Sequence, residues 1–239
     1  LIVCAIVTKI LTNDNPLSLY ITIVQGAFGK GRLLVTIDEM AILLGISLAI
    51  TPAFKMHFWN TGAEGQVLIG CLATAYIMFK YGGKVNETLL IVMMFISAVI
   101  SGMIWGLIPA FFKAKYETNE TLFTLMMNYV AIQLVEYFLK VADKTGSNVV
   151  GPNLLSHGWF IELFGIKYLI NIILVIIILI LMYIYLTYSK QGYEIAVVGE
   201  SKKTALYIWL NVKKIILRTM AISGGLCGVM GQLIAAEIS

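Results

Sequence analysis

Apolar residues run along this chain in long blocks separated by short polar stretches. The plainest block is 168–188, where 21 residues carry no charge and only Asn171 is strongly polar. Block 89–112 is another, and 215–234 holds a single charge, Arg218, near its start. A helix needs about 20 residues to cross the hydrocarbon layer of a bilayer. The pattern predicts about seven crossings or part-crossings, at 1–10, 37–54, 65–81, 89–112, 121–139, 168–188 and 215–235. After the first, Asn13-Asp14-Asn15-Pro16 signals a turn. Residues 17–28 then read as a short interfacial helix closed by Gly29-Lys30-Gly31.

Composition sharpens the class. Hydrophobic residues make up 59% of the chain and charged ones 13%, where a soluble domain carries roughly 25% charged residues. The expectation is an all-α, polytopic helical membrane protein whose residues 1–239 form one transmembrane domain. The opening LIVCAIVTKI reads as the tail of a helix and the closing AAEIS follows directly on a span, so a fragment truncated at both ends is expected. A signal peptide is the competing reading of the first residues, but no basic region or small-residue cleavage site accompanies it.

Two neighbouring blocks are too short. Residues 40–54 and 65–79 hold 15 residues each without a charge, or about 22 Å of helix against about 30 Å of hydrocarbon. Between them lies FWNTGAEGQ. That linker is expected below the membrane surface, as a broken or re-entrant helix around 55–66. Irregular backbone survives at such depth only inside protein or along a wet cavity. Gly62 and Gly65 permit the required angles and close approach, and Thr51-Pro52 weakens the helix before them. Short, Gly/Pro-interrupted segments are the pattern of broken helices at transport sites. A carboxylate at that depth, Glu64, costs about 2.5–3.5 kcal/mol on insertion scales and so requires a partner, water or the positive end of a helix dipole. The alternative keeps Glu64 as a cap beside Lys55 or His57 in a short loop. Both readings stand on these residues alone.

A second polar element lies in 121–139, where Thr121, Thr124, Asn128, Gln133 and Glu136 share one half of the helix surface. Such a stripe lines a pathway or makes interhelical hydrogen bonds worth about 1 kcal/mol or less each. Asn128, mid-span, is the better pathway candidate. Gly224, Gly228 and Gly231 recur at i, i+4, i+7, and Gly102 and Gly106 form a GxxxG pair. Both patterns predict close backbone packing.

Charge orients the chain. The connection 189–214 holds Lys190, Lys202, Lys203, Lys213 and Lys214, with Arg218 just beyond, and the positive-inside rule makes it cytoplasmic. Alternation puts 140–167 and 80–88 outside, with 113–120 inside and 55–64 toward the cytoplasm. With Lys9, Lys30 and Arg32 before the 37–54 span, the presumed outer segments nevertheless hold eight of the seventeen basic residues. Within the connection, Ala205, Ile208, Trp209 and Val212 at i, i+3, i+4, i+7 predict an amphipathic helix at a surface or in a partner's groove.

The remaining chemistry is sparse. Cys4, Cys71 and Cys227 fall in apolar segments at no metal-binding spacing, and the two histidines, His57 and His157, have no ligand or base partner at useful spacing. No glycine–lysine phosphate loop is present. Catalysis, metal, cofactor and nucleic acid are therefore not expected.

Three segments together resemble one family. FKMHFWNTGAEGQVLIG is similar to the pattern around FNxGxEGQ in ABC permeases for simple sugars and nucleosides, of the branched-chain amino acid/ribose-type superfamily. ETNETLFTLMMNYVA resembles the NExxxTxMxNY segment there, and GYEIAVVGESKKTALYIWLNVKK the GxxxxxVGxxxxxAxYxxxxV segment, in the same order. The resemblance implies the permease subunit of a bacterial importer in the cytoplasmic membrane, in contact with lipid. It implies a second permease subunit, usually a different chain, a separate cytoplasmic ATPase and an extracytoplasmic solute-binding protein. By position, Asn60, Glu64, Gln66 and Asn128 go to the substrate pathway, and Gly62 and Gly65 to the broken helix. Residues 200–211 become the ATPase-coupling helix, with Glu200, Lys202, Lys203, Leu206, Tyr207 and Trp209 as its contacts. The chain departs from the pattern at His57, where glycine is usual, at Ala196 for arginine and at Trp209 for a small residue. The EGQ form favours a nucleoside slightly over a sugar. The rival reading is an ion-coupled carrier or channel with Glu64 in its pathway, which gives the 200–211 segment no role.

Overall fold

The computed structural model describes residues 15–29, 32–142, 157–159 and 168–237, together with Val7 and Lys9. Every regular element among them is helical: α1 (Pro16–Phe28), α2 (Leu33–Lys55), α3 (Ala63–Tyr81), α4 (Glu87–Tyr116), α5 (Glu120–Ala142), α6 (Leu169–Tyr188), α7 (Lys190–Glu200), α8 (Lys202–Tyr207) and α9 (Val212–Glu237). Helix starts follow local chemistry. The Asn15 side chain accepts from Leu17 N with Pro16 next to it, Asn86 caps α4, and Ser189 and Ser201 cap α7 and α8. Each cap satisfies a backbone N–H that has no partner within the helix.

Five of these helices are long and apolar enough to cross a membrane: α2, α4, α5, α6 and α9. The protein is thus all-α and polytopic, but the expected seven crossings reduce to five among the described residues. The expected span at 1–10 lies outside them except for Val7 and Lys9. α3 has the length, at 19 residues, but Glu64, Gln66, Thr74 and Lys80 dilute its apolar character.

α9 is the centre of the bundle. In its most apolar window 78% of residues are buried, against 17–22% in the other four apolar helices, so those face outward. Glycine sets this arrangement. A Cβ on Gly228 would meet the Ala98 carbonyl of α4, one on Gly224 the Gly102 carbonyl, and one on Gly231 the Val67 carbonyl of α3. A Cβ on Gly70 would come 2.6 Å from Gly228 Cα. The i, i+4, i+7 pattern in α9 therefore presses against α3 and α4 at once, backbone on backbone, as small-residue seams allow in lipid. α2 and α6 close the other side of α9, where Ala49, Val175, Ile178, Met182, Met230 and Leu233 share one apolar cluster.

At the connection end of the bundle, Lys113 of α4 pairs with Glu120 of α5 at 2.6 Å across a turn in which Glu117 adopts φ 54°. Arg218, the charge within the apolar block 215–234, pairs with Glu194 of α7 at 2.9 Å. The continuous helix expected over 200–211 does not form. Ser201 is extended (φ −159°) between α7 and α8. α8 then ends at Tyr207, and Trp209 takes a left-handed φ of 61°. Ala205 is buried while Trp209 is 95% exposed, so the predicted Ala205–Ile208–Trp209 stripe does not lie on one face.

Candidate functional site

α2 leaves the helical path at Met56, just after Pro52, and α3 begins at Ala63. His57 at the turn has φ 57°. Met56 and Phe58 are buried against Ile195, Val198 and Ile216, which fixes the turn on α7 and α9.

The polar side chains of this turn bond mainly to one another and to backbone. Asn60 Nδ2 donates to Gln66 Oε1 at 3.3 Å, and Gln66 Nε2 donates back to Asn60 Oδ1 at 3.2 Å. Asn60 also donates to Ser223 Oγ of α9 at 3.4 Å and accepts from Gly62 N at 3.2 Å. From the other side, Asn128 Oδ1 of α5 accepts from Gly65 N at 2.8 Å, and its Nδ2 donates to the Thr61 carbonyl at 2.9 Å. Asn128 thus supplies a partner to an amide in the first turn of α3, where helix N–H groups otherwise lack one. The Thr61 hydroxyl donates to the Thr121 carbonyl at 3.1 Å and lies 2.9 Å from the Thr124 hydroxyl. Gly62 and Gly65 are needed for this fit: a Cβ at Gly62 would lie 2.9 Å from Thr124 Cβ, and one at Gly65 2.7 Å from Asn128 Oδ1.

The candidates divide by burial. Asn60, Gln66 and Asn128 are buried, whereas Glu64, in the first turn of α3, is exposed on the outer face of this chain with Thr61 beside it in sequence. The polar stripe of α5 divides likewise. Thr124 and Asn128 turn inward with Ala131, while Thr121, Gln133 and Glu136 face out. Sequence reasoning missed Ser223, which fixes the depth of the cluster. It lies eleven residues into α9, about 16 Å from the start of that helix. It also missed Trp105, whose buried Nε1 has no partner among the described residues and points toward Gly65.

The coupling candidates form a second group. Glu200 ends α7, and Lys202 and Lys203 open α8. Leu206, Tyr207 and Trp209 are exposed, Tyr207 to 85%. Lys202, Leu206 and Trp209 border a groove of about 820 Å³ whose far wall is the end of α4, at Lys113, Ala114 and Glu117.

A third polar feature escaped the sequence reading. Asp38 of α2 is fully buried, with one carboxylate oxygen 3.4 Å from the donor Asn171 Nδ2 of α6 and the other without a partner among the described residues. Position 38 falls at the edge of the expected 37–54 span, where a helix end carries no periodicity that marks burial. No group of three or more His, Cys, Asp or Glu among the described residues is placed to hold a metal.

Comparison with known proteins places this geometry in a family. Residues 34–239 match the family described as the branched-chain amino acid transport system, permease component. The guanosine ABC transporter permease protein NupP of Bacillus subtilis is 28% identical, across 83% of this chain and 58% of its own length. The nucleoside ABC transporter permease protein NupB of Lactococcus lactis is 25% identical, across 91% and 63%. The glucose ABC transporter permease protein TsgB13 of Haloferax volcanii is also 25% identical, across 94% and 62%. The chain thus spans about three fifths of the length of these relatives. No solved structure matches it. With a family match over most of its length, five apolar helices long enough to cross a bilayer and a glycine-packed bundle, this multi-pass membrane chain belongs to the permease-component family of branched-chain amino acid transport systems.

Proposed function

We propose that this chain is the permease domain of an ATP-driven importer in the bacterial cytoplasmic membrane, moving a nucleoside or simple sugar, with the 189–214 connection as its cytoplasmic coupling segment. The observation that carries the proposal is the exposed tip of that connection. Trp209 stands almost entirely out of the protein in a left-handed conformation that bulky residues avoid, beside exposed Leu206 and Tyr207. Large apolar side chains held outward at the rim of a groove suit a protein partner, here a separate ATPase subunit. Burial of each contributes about 1.5–3 kcal/mol.

The turn between α2 and α3 is then the recessed, broken-helix element. Its place about 16 Å beyond the start of α9 supports that reading. Asn60, Gln66 and Asn128 shape the pathway wall from within, their polar groups being used on one another and on backbone. Glu64, exposed on the outer face with Thr61, meets the second permease subunit or the solute. The relatives' names, for guanosine, nucleosides and glucose, suit uncharged solutes rich in hydrogen-bonding groups. An extracytoplasmic solute-binding protein completes the assembly.

Changing Leu206 and Trp209 together to serine tests the coupling assignment. The expected outcome is loss of ATPase association and of solute-stimulated ATP hydrolysis, with the helical bundle intact because both residues lie outside every span. Co-purification with the ATPase at the unmodified ratio would reject it.

A further inference from the structure

A groove of about 560 Å³, almost wholly apolar, runs between α3, α4 and α5. It starts mid-bundle at Ile69 and Ser101 and ends where α3 and α5 finish, at Phe79 and Ala142. It exists because α5 is pinned to α3 only along its first half. Thr124, Asn128 and Ala131 are buried there, and no further residue of α5 is buried until Ala142. Beyond Ala131 the helices touch through ring edges, Tyr76 and Phe79 each 6.5 Å from Phe138.

The groove's length and its rim identify what fills it. Positions 69–79 of a helix cover about 15 Å, which is half of a hydrocarbon layer of about 30 Å and so one leaflet. Lysines stand where the groove opens. Lys80 Nζ donates to the Tyr76 hydroxyl at 3.3 Å and lies 5.5 Å from the centres of the Tyr76 and Tyr81 rings. Lys84 Nζ donates to the Lys80 carbonyl at 2.9 Å, and Lys140 is exposed in the last turn of α5. Against these three lysines stand Glu136, one turn below Lys140, and the exposed Glu87 at the start of α4, so this end is net positive among the described residues. This end of the bundle is the one opposite the lysine-rich connection, where the positive-inside rule gives no reason for basic residues. A slot one acyl chain deep, edged by tyrosines and capped by lysines, has the chemistry of a site for one phospholipid with an anionic headgroup.

We infer that the α3–α4–α5 groove holds an acyl chain of an anionic phospholipid in the leaflet away from the 189–214 connection, with its phosphate at Lys80 and Lys140. The occupant keeps the free half of α5 from collapsing onto α3 while Asn128 holds the other half. The inference rests on the chain's membrane placement and not on the identity of the transported solute.

The test uses the full-length permease in its assembled complex, reconstituted in liposomes that contain trace phosphatidylglycerol or phosphatidylcholine, each with a diazirine on the same acyl chain. Adducts are mapped by mass spectrometry after illumination. Phosphatidylglycerol should label peptides covering 69–79 and 134–142, with a preference over phosphatidylcholine of roughly fivefold per engaged lysine. Lys80→Gln with Lys140→Gln should remove that preference while leaving uptake of the complex and α6 labelling in place. Ala73→Phe, which fills the groove, should lower adducts of both lipids there. Equal labelling by the two lipids overturns the inference in favour of ordinary annular contact. Labelling no stronger than on the outward face of α6 does so as well, and so does a groove that yields no adduct because protein covers it.

Discussion

Asn60 and Gln66 form a closed pair in which each side-chain amide donates to the other's oxygen, at 3.3 and 3.2 Å, with both residues buried. Two amides that satisfy one another inside a protein carry little net cost, but without Gln66 the buried Asn60 keeps only its weaker bonds to Ser223 Oγ and Gly62 N. Gln66→Leu should therefore destabilise the protein by about 1–3 kcal/mol. The measurement is thermal unfolding in detergent or nanodiscs. An unshifted transition would mean that the pair does not hold the turn.

Asn128 is tied to backbone on both sides, which changes what its replacement should do. Asn128→Leu removes the partner of Gly65 N and that of the Thr61 carbonyl, so loss of stability should accompany any loss of uptake. Asn128→Asp keeps the acceptor for Gly65 N but sets a carboxylate oxygen against the Thr61 carbonyl in a buried site, and should cost at least as much stability as leucine. Normal stability of the leucine variant with slowed uptake would return Asn128 to direct solute contact.

Trp209 separates strain from function. A non-glycine residue at positive φ costs roughly 1–2 kcal/mol relative to glycine. Trp209→Gly should thus raise thermal stability slightly, by about 1 kcal/mol, while ATPase association weakens. Both quantities falling together would show that the tryptophan packs within this chain.

Asp38 is buried, with one oxygen that has no partner among the described residues. An ionised carboxylate there has too few hydrogen bonds to offset its desolvation. Asp38→Asn keeps the shape and removes the ionisable group, and should unfold at the same temperature or higher. A marked fall in unfolding temperature would instead reveal a cationic partner for this carboxylate in the assembled protein.

Much of this was readable from the chain, for reasons that differ by element. The block at 168–188 became α6 (Leu169–Tyr188) because apolar length alone dictates a helix in lipid. The glycines of α9 could be read as a packing seam, though not which neighbours they meet, since α3 and α4 both lie on that face. The break of the 200–211 helix was also legible. Ser201 and Thr204 carry an N-cap signal, and the Ser201 side chain accepts from Thr204 N at 3.3 Å. The apolar periodicity alone points to one continuous helix, and the local hydrogen bond prevails over it. The Asn60–Gln66 pair and the burial of Asp38 were not legible, because each depends on which helices come together rather than on spacing within one.

The seams where α9 meets α3 and α4 have a mechanical consequence. Side chains between helices act as compliant padding, since they can change rotamer and let two helices slide. Where Gly224, Gly228 and Gly231 touch carbonyls and Cα atoms directly, that compliance is missing, and α3, α4 and α9 form one stiff block. Under the proposed coupling role, a push delivered at the α8 tip would enter the start of α9 and reach the Asn60–Ser223 contact with little loss on the way. Motion in the proposed transport cycle is then borne by α2, α6 and the part of α5 beyond Ala131, which lean on the block through side chains. The first half of α5 is instead held against Gly62 and Gly65. Spin labels on exposed positions of α3 and α4, such as Tyr76 and Ile104, should keep a fixed separation through the ATP cycle, while a label on α5 at Tyr137 shifts against both. Gly228→Ala should loosen or unfold the block where Gly26→Ala, with open space around it, leaves it intact.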